Sequence, residues 1–333
     1  MTVKGYACMK PKEKLIPYDF ELNDEVEDKK VRIKITHCGL CHSDLHLINN
    51  DWDNENIFPL VPGHEIVGEV YMLGKNVKKF KNGERVGVGW QCESCGICKS
   101  CKSGFDNICK EMKATCVDQK GGFAEYIDID ENFVFKIPEN LTSEFVAPLF
   151  CAGITVYNPL EYYNVRPWMR VGVIGLGGLG HLAVQFLKAY GCEVDVFSSS
   201  KEKETLSKQL GASNHITDIY NQDLDFKYDF ILSTASVALD WKRYVNILAP
   251  RGKICFVGAI PEDISLDFFE LMMYQKEVVA GSIGSPWQIE QMLDFASRHK
   301  IAAQIELFKL AEINDALEKM KEGELRFRAV MEI

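Results

Sequence analysis

Four thiols in the run Cys95-x2-Cys98-x2-Cys101-x7-Cys109 are close enough in sequence to fold around one tetrahedral cation. A thiolate cage of this kind suits Zn2+ where no chemistry is wanted. Four thiolates also suit an iron–sulfur cluster, but no other redox-cluster feature accompanies them. Cys92, three residues before Cys95, makes the choice of four ambiguous, and we read it as a spare thiol. A second set is scattered more widely: Cys41, His64 with Glu65 beside it, and Cys151. Three protein ligands leave a fourth position free for water or substrate, the arrangement a catalytic zinc needs. A third pattern, Gly175-Leu176-Gly177-Gly178-Leu179-Gly180, fits G-x-G-x-x-G. Such glycines allow a tight turn and close approach of a dinucleotide, whose pyrophosphate is drawn to the helix N-terminus that follows.

These groups need a scaffold, and the sequence implies two. The first part is β-rich: Val31-Arg32-Ile33-Lys34-Ile35 alternates apolar and polar, and Ile66–Val70 and Glu84–Val88 are strand-like and bounded by glycines. From Cys151 the pattern changes. Arg170–Ile174 is a short apolar strand, the glycine turn follows, and a helix from Leu179 to about Tyr190 stops at Gly191. Strands at Glu193–Phe197, Phe230–Leu232 and Lys253–Val257 continue the alternation with helices, which implies a parallel, doubly wound sheet. Helices are expected around Ile289–Arg298 and Leu310–Lys321, and a last strand, Arg328–Ile333, is expected to return to the first domain. The class is α/β, with domains at 1–150 plus 288–333 and at 151–287.

Composition narrows the function. The chain has 333 residues, enough for two domains with full cores. Its net charge of −10 argues against a general nucleic-acid binder. No apolar run approaches the roughly 20 residues that cross a bilayer, and the first residues have no secretory h-region, so a cytoplasmic protein without a membrane partner is expected. Five of its twelve cysteines crowd between Cys92 and Cys109, which favours metal binding over disulfides. A closed metal site, an open one and a dinucleotide turn point together to a zinc-dependent dehydrogenase.

Longer motifs make the reading specific. Gly63-His64-Glu65-x2-Gly68-x5-Gly74-x2-Val77 resembles the zinc alcohol dehydrogenase signature. Cys41-His42-Ser43-Asp44-Leu45-His46 and Pro148–Thr155 resemble the cinnamyl-alcohol-dehydrogenase branch of the medium-chain dehydrogenases, a likeness that extends over nearly the whole chain. The resemblance implies a GroES-like catalytic domain beside a Rossmann domain, with the active site in the cleft. It implies two zinc ions per chain: a catalytic one on Cys41, His64 and Cys151, and a structural one on Cys95, Cys98, Cys101 and Cys109. Glu65 resembles a carboxylate that approaches the catalytic metal from outside its ligands or replaces water on it, and Asp44 one that orients the histidine. Ser43 and His46 resemble a relay carrying the alcohol proton to solvent. Trp52 and Trp90 resemble pocket-lining aromatics, which would favour a flat or slender substrate. His42 resembles a cofactor-binding position, and Thr155 and Ser282 resemble positions near the nicotinamide. A homodimer is implied. The segment from Cys116 to Gly122 is shorter than the loop found there in the family.

The choice of cofactor is read at the second Rossmann strand. An NAD enzyme usually carries Asp or Glu at its end, about 20 residues after the glycines. Here Ser198-Ser199-Ser200 and Lys203 stand there, and Asp195 is too early. Small hydroxyls and a lysine suit the 2′-phosphate of NADP(H), although serines there could also cap a helix. The expected reaction is reversible oxidation of a primary alcohol to an aldehyde. A polyol or formaldehyde dehydrogenase of the same superfamily, and a non-catalytic dinucleotide-binding zinc protein, are the alternatives.

Overall fold

The segment Lys30–Leu40 is the strand around which the first unit is built, and its alternation buries Val31, Ile33 and Ile35. Arg32 breaks the expected pattern. Its side chain is buried, because the strand Tyr126–Asp130 sets Asp128 opposite it and the carboxylate accepts two hydrogen bonds of 2.8 Å from the guanidinium. A buried charge is tolerated when it is paired in this way.

The fold was obtained as a computed structural model, which describes residues 1–53, 57–260 and 262–333, the Gln222 side chain excepted. Two compact units result: Met1–Ile154 with Ile283–Ile333, and Thr155–Ser282. The change of sequence pattern predicts these boundaries after 150 and 287. They fall elsewhere because the helix Ala152–Tyr162 begins inside the first unit and 283–287 already belongs to it, so Cys151 lies in the first unit.

In the first unit, Lys30–Leu40 pairs antiparallel with Glu65–Leu73, which pairs with Arg85–Val88. On its other side runs Arg328–Glu332, the strand expected to return, flanked in parallel by Ile305–Lys309. The register matters for the site. Gly39 faces Glu65 and Leu40 faces Ala329, so the end of one central strand meets the start of a second and of a third. Behind this sheet, Ile33, Leu40, Ile66, Val88, Phe123 and Met331 contribute to one apolar core.

The second unit is a six-stranded parallel sheet in the order Asn214–Ile216, Glu193–Phe197, Arg170–Ile174, Tyr228–Ser233, Leu248–Phe256, Glu277–Ala280. Val171, Val173, Val194, Val196, Ile231 and Leu232 are fully buried, as strands covered on both faces should be. The chain starts in the middle, winds to one edge and returns to the other. The order reverses at Arg170–Ile174, and the glycine turn lies at the carboxyl end of that strand, the place where sheets of this kind bind ligands. The helix Gly180–Tyr190 follows and stops at Gly191 with φ 92°. The short edge strand Asn214–Ile216 has too few residues for its period to be read from sequence. Among the described residues no helix is long and apolar enough to cross a membrane.

Candidate active site

Cys41 follows the central strand Lys30–Leu40 and caps the helix His42–Asn49; Glu65 opens the next strand, with His64 just before it; Cys151 lies between the turn Ala147–Phe150 and the helix Ala152–Tyr162. The ligand atoms of Cys41, His64, Glu65 and Cys151 all lie within 4.8 Å of one another. The two Sγ atoms are 3.9 Å apart. Thiolates about 2.3 Å from a tetrahedral zinc would be separated by about 3.8 Å. The Cys41 thiol is held well below its usual range by its contact with Cys151, although burial acts the other way.

His64 is oriented by Asp44, whose carboxylate contacts Nδ1 at 3.0 Å and accepts hydrogen bonds of 2.9 Å from the Cys41 and Gly63 amides. An acceptor on Nδ1 puts the proton there and the lone pair on Nε2. That Nε2 is buried without a hydrogen-bond partner. An orphaned buried nitrogen is unfavourable by about 1–3 kcal/mol, and a cation among Cys41, His64 and Cys151 would satisfy it. Two thiolates and an imidazole are a zinc-type donor set. The residues present therefore fit the metal.

Glu65 has one oxygen bound by Arg328 and the other, Oε2, buried with no partner. A Cβ on residue 39 would sit 2.0 Å from that Oε2, so only glycine leaves room for the carboxylate. Burial pushes the Glu65 carboxyl up to about 7, against the pull of the Arg328 guanidinium.

The closed set is equally regular. Cys98 and Cys101, and Cys95 and Cys109, have sulfurs 3.5 Å apart; Cys95 and Cys101, and Cys98 and Cys109, are at 3.9 Å. These edges bracket the tetrahedral value of about 3.8 Å. Cys92 stands outside this group, with its thiol donating to the Lys113 carbonyl at 3.4 Å.

Ser43 lies in the first turn of the helix His42–Asn49 and His46 in its last. The His46 Nδ1 meets Asp51 at 2.8 Å, and both side chains reach solvent. Trp52 and Trp90 are brought together edge to face with centroids 6.0 Å apart; Trp90 lies 4.9 Å from His64 and Trp52 lies 5.6 Å from His46. The indoles thus form one aromatic wall running from the candidate metal ligands to the candidate relay.

In the second unit the glycines at the three fixed positions of the motif, Gly175, Gly177 and Gly180, differ in what surrounds them. Gly175 has φ 87°, and a Cβ at Gly180 would lie 2.0 Å from the Gly175 carbonyl oxygen. Around Gly177 nothing lies within 4 Å of an added Cβ, which leaves open space over the backbone where a pyrophosphate would approach. Gly178 and Leu179 complete the turn ahead of the helix. Ser198, Ser199 and Ser200 follow the strand Glu193–Phe197; Ser199 is exposed, and Ser200 donates its amide to the Ser198 hydroxyl at 3.3 Å. Lys203 reaches back to the glycine turn, donating to the Leu176 carbonyl at 3.2 Å. Asp195 sits in mid-strand, fully buried and bound by Arg170, Asn214 and Tyr228. These residues fit a dinucleotide, and the Asp195 carboxylate is not offered to its ribose. Thr155 lies on the helix Ala152–Tyr162 and Ser282 at the end of this unit, whereas His42 belongs to the first unit.

Three residues near these sites escaped the sequence reading. Arg328 and Glu65 are 263 positions apart, with no motif to join them. Asp51 follows His46 by five, a spacing that no motif in the chain marks. Cys116, fully buried, has its ligand atom within 4.8 Å of those of Asp44 and His64. The segment leading on from Cys116 is zipped to the backbone before His64, through Gly122 to Gly63 at 2.7 Å and Phe123 to Pro62 at 3.0 Å.

Comparison with known proteins is consistent with this geometry. Residues 27–139 match the alcohol dehydrogenase GroES-like domain, and residues 178–298 match the zinc-binding dehydrogenase domain. The chain is 42% identical to the aldehyde reductase AdhA of Synechocystis sp., over 99% of this chain and 98% of that one. A cinnamyl alcohol dehydrogenase of Sorghum bicolor superposes with a TM-score of 0.94 at 36% identity, over 100% and 98% of the two chains. The CAD of Helicobacter pylori, solved in complex with NADP(H), gives 0.92 at 35% identity, over 100% and 98%.

Proposed function

We propose a reaction from one premise: the chain belongs to the zinc-binding medium-chain alcohol dehydrogenases, among the cinnamyl alcohol dehydrogenases and aldehyde reductases. It interconverts alcohols and aldehydes, and in our reading it reduces an aldehyde to a primary alcohol, reversibly, with NADP(H). When bound, zinc supplies Lewis acidity towards the substrate oxygen and the nicotinamide carries the hydride. The rest falls to the protein. Cys41, His64 and Cys151 hold the catalytic metal, and two thiolates offset its charge. Asp44 keeps the His64 lone pair aimed at it. Ser43 returns a proton to the substrate oxygen during reduction, and His46, held by Asp51 at the surface, replaces that proton from solvent. Trp52 and Trp90 exclude water and favour flat or slender substrates. Cys95, Cys98, Cys101 and Cys109 hold a second zinc that supports folding. The observation that carries the reading is the buried, unpartnered Nε2 of His64 beside two thiols 3.9 Å apart.

The cofactor preference rests on Ser199. Asp or Glu there would accept from the ribose hydroxyls and repel a 2′-phosphate; serine removes the repulsion, and Ser198, Ser200 and Lys203 add donors and a positive charge. A charged hydrogen bond is worth roughly 1.5–3 kcal/mol, and each 1.4 kcal/mol is about tenfold. Initial rates over cinnamyl-type, benzylic and aliphatic aldehydes and polyols, with both cofactors, should show NADP(H) favoured by at least about tenfold in kcat/KM, and Ser199→Asp should erase or reverse that preference. Equal use of NAD(H) by the parent would overturn the cofactor assignment. Failure to turn over any of these substrates would overturn the reaction.

The partner we propose is a second copy of the chain. Glu277–Ala280 is the last strand of its sheet, and the helix Phe268–Tyr274 that precedes it in the chain, packed on Leu248–Phe256, exposes Phe268, Phe269, Met272 and Met273 by 74%, 64%, 51% and 58%. An open edge next to an apolar patch favours symmetric pairing. Sedimentation equilibrium should return twice the mass of one chain; a monomer at micromolar concentration would refute the pairing.

A further inference from the structure

The four-cysteine loop touches the chain at a place that has nothing to do with holding a metal. Asn107 lies in the turn Asp106–Ile108, between Cys101 and Cys109. Its Nδ2 donates to the Ile283 carbonyl at 2.7 Å, and to make that bond it leaves its own Oδ1 buried without a hydrogen-bond partner. Ile283 is the residue at which the chain re-enters the first unit, directly after Ser282.

The neighbours of Ile283 are held just as firmly. On the side of the second unit, Tyr163 donates its hydroxyl to the Ala280 carbonyl at 2.7 Å, and Asn158 donates its amide to the Ser282 carbonyl at 3.1 Å. A Cβ at Gly281 would lie 2.6 Å from a carbon of Pro159. On the side of the first unit, a Cβ at Gly284 would lie 2.7 Å from Ile154, and Ser285 caps the helix Pro286–His299 with its amide bound to Gln288 at 2.9 Å. From 280 to 285 the segment is thus fixed almost residue by residue against the helix Ala152–Tyr162, the residue after it and the start of its own helix. At Ile283 it is held by the four-cysteine loop.

We infer that Asn107 is a positioning residue for the nicotinamide end of the cofactor, because its bond to the Ile283 carbonyl sets the place of Ser282. This rests on the reading that Thr155 and Ser282 meet the nicotinamide. The closed cysteine site then does more than support the fold: ordering its loop orders part of the cofactor site. Since such coupling is reciprocal, bound NADPH should in turn tighten metal binding at that loop by the same factor.

The test is direct binding to the full-length, zinc-loaded protein by isothermal titration with two ligands, NADPH and 2′-phospho-ADP-ribose, which lacks only the nicotinamide. Asn107→Ala should weaken NADPH about tenfold and leave 2′-phospho-ADP-ribose within about twofold of the parent. Asn107→Asp keeps the size of the side chain, cannot donate to the carbonyl, and should show the same split if the alanine variant folds poorly. Unchanged NADPH affinity in a folded variant overturns the inference. Equal weakening of both ligands also overturns it, because that is the signature of a general structural role. A parent protein that binds neither ligand overturns the cofactor reading itself, and the inference with it.

Discussion

Replacing Cys151 by serine is expected to lower turnover by on the order of a thousandfold or more while cofactor affinity and the melting transition stay near those of the parent. The Cys151 sulfur stands 3.9 Å from that of Cys41 and completes the open set with His64. Metal-assisted polarisation of a carbonyl contributes several kcal/mol to a transition state, and each 1.4 kcal/mol is about tenfold in rate. The four sulfurs of the closed set form a separate group and are untouched. Elemental analysis should therefore find two zinc ions per chain in the parent and about one in Cys151→Ser. Near-parental turnover in the variant would remove Cys151 from the ligand set. Full activity in a parent with a single zinc would remove the two-site assignment.

The second large effect is on stability. Arg328→Met should destabilise the protein by about 3–5 kcal/mol, the range seen when one partner of a buried ion pair is removed. Arg328 and Glu65 are both almost fully buried, and the guanidinium counters the burial that raises the Glu65 carboxyl to about 7. Without it burial raises the Glu65 carboxyl further, so that at neutral pH the group must take up a proton and remains a buried acid with both oxygens short of partners beside two thiols. The double variant Glu65→Gln, Arg328→Met should recover part of the loss, because glutamine is neutral without the cost of driving a buried carboxyl to its protonated form. Denaturant unfolding of the parent, the two single variants and the double variant measures this. A loss below about 1 kcal/mol in Arg328→Met, or a double variant less stable than it, would show that the pair does not carry the predicted energy.

How much could be read in advance depended on how local each feature is. The four-cysteine loop was legible because its ligands fall within fifteen residues, and spacing alone predicts a cage. The parallel sheet was legible because strands buried on both faces are runs of valine and isoleucine, as at Arg170–Ile174. Cys41, His64 and Cys151 were legible as a set only through family resemblance, since nothing in their spacing joins positions 110 apart. Arg328 was legible only as part of a strand. Its partnership with Glu65 depends on that strand lying antiparallel to Lys30–Leu40 in one particular register, a tertiary fact with no sequence period. The burial of Arg32 was missed for the same reason: alternation says which side of a strand a residue faces, and not whether another strand brings a carboxylate to cover it.

The return of Arg328–Glu332 to the central sheet also fixes the order in which the molecule can be completed during synthesis. Translation delivers Cys41, His64 and Cys151 early and the whole of Thr155–Ser282 before the final strand. The parallel sheet is contiguous in the chain and can fold as soon as it leaves the ribosome, while the sheet that surrounds it in sequence waits with one edge open. During that interval Glu65 has no counter-charge. A message truncated between the codons for residues 151 and 328 therefore yields a polypeptide with every candidate ligand of both metals and an unfinished site around one of them, the kind of product a cell must recognise by its exposed strand edge and not by any missing ligand.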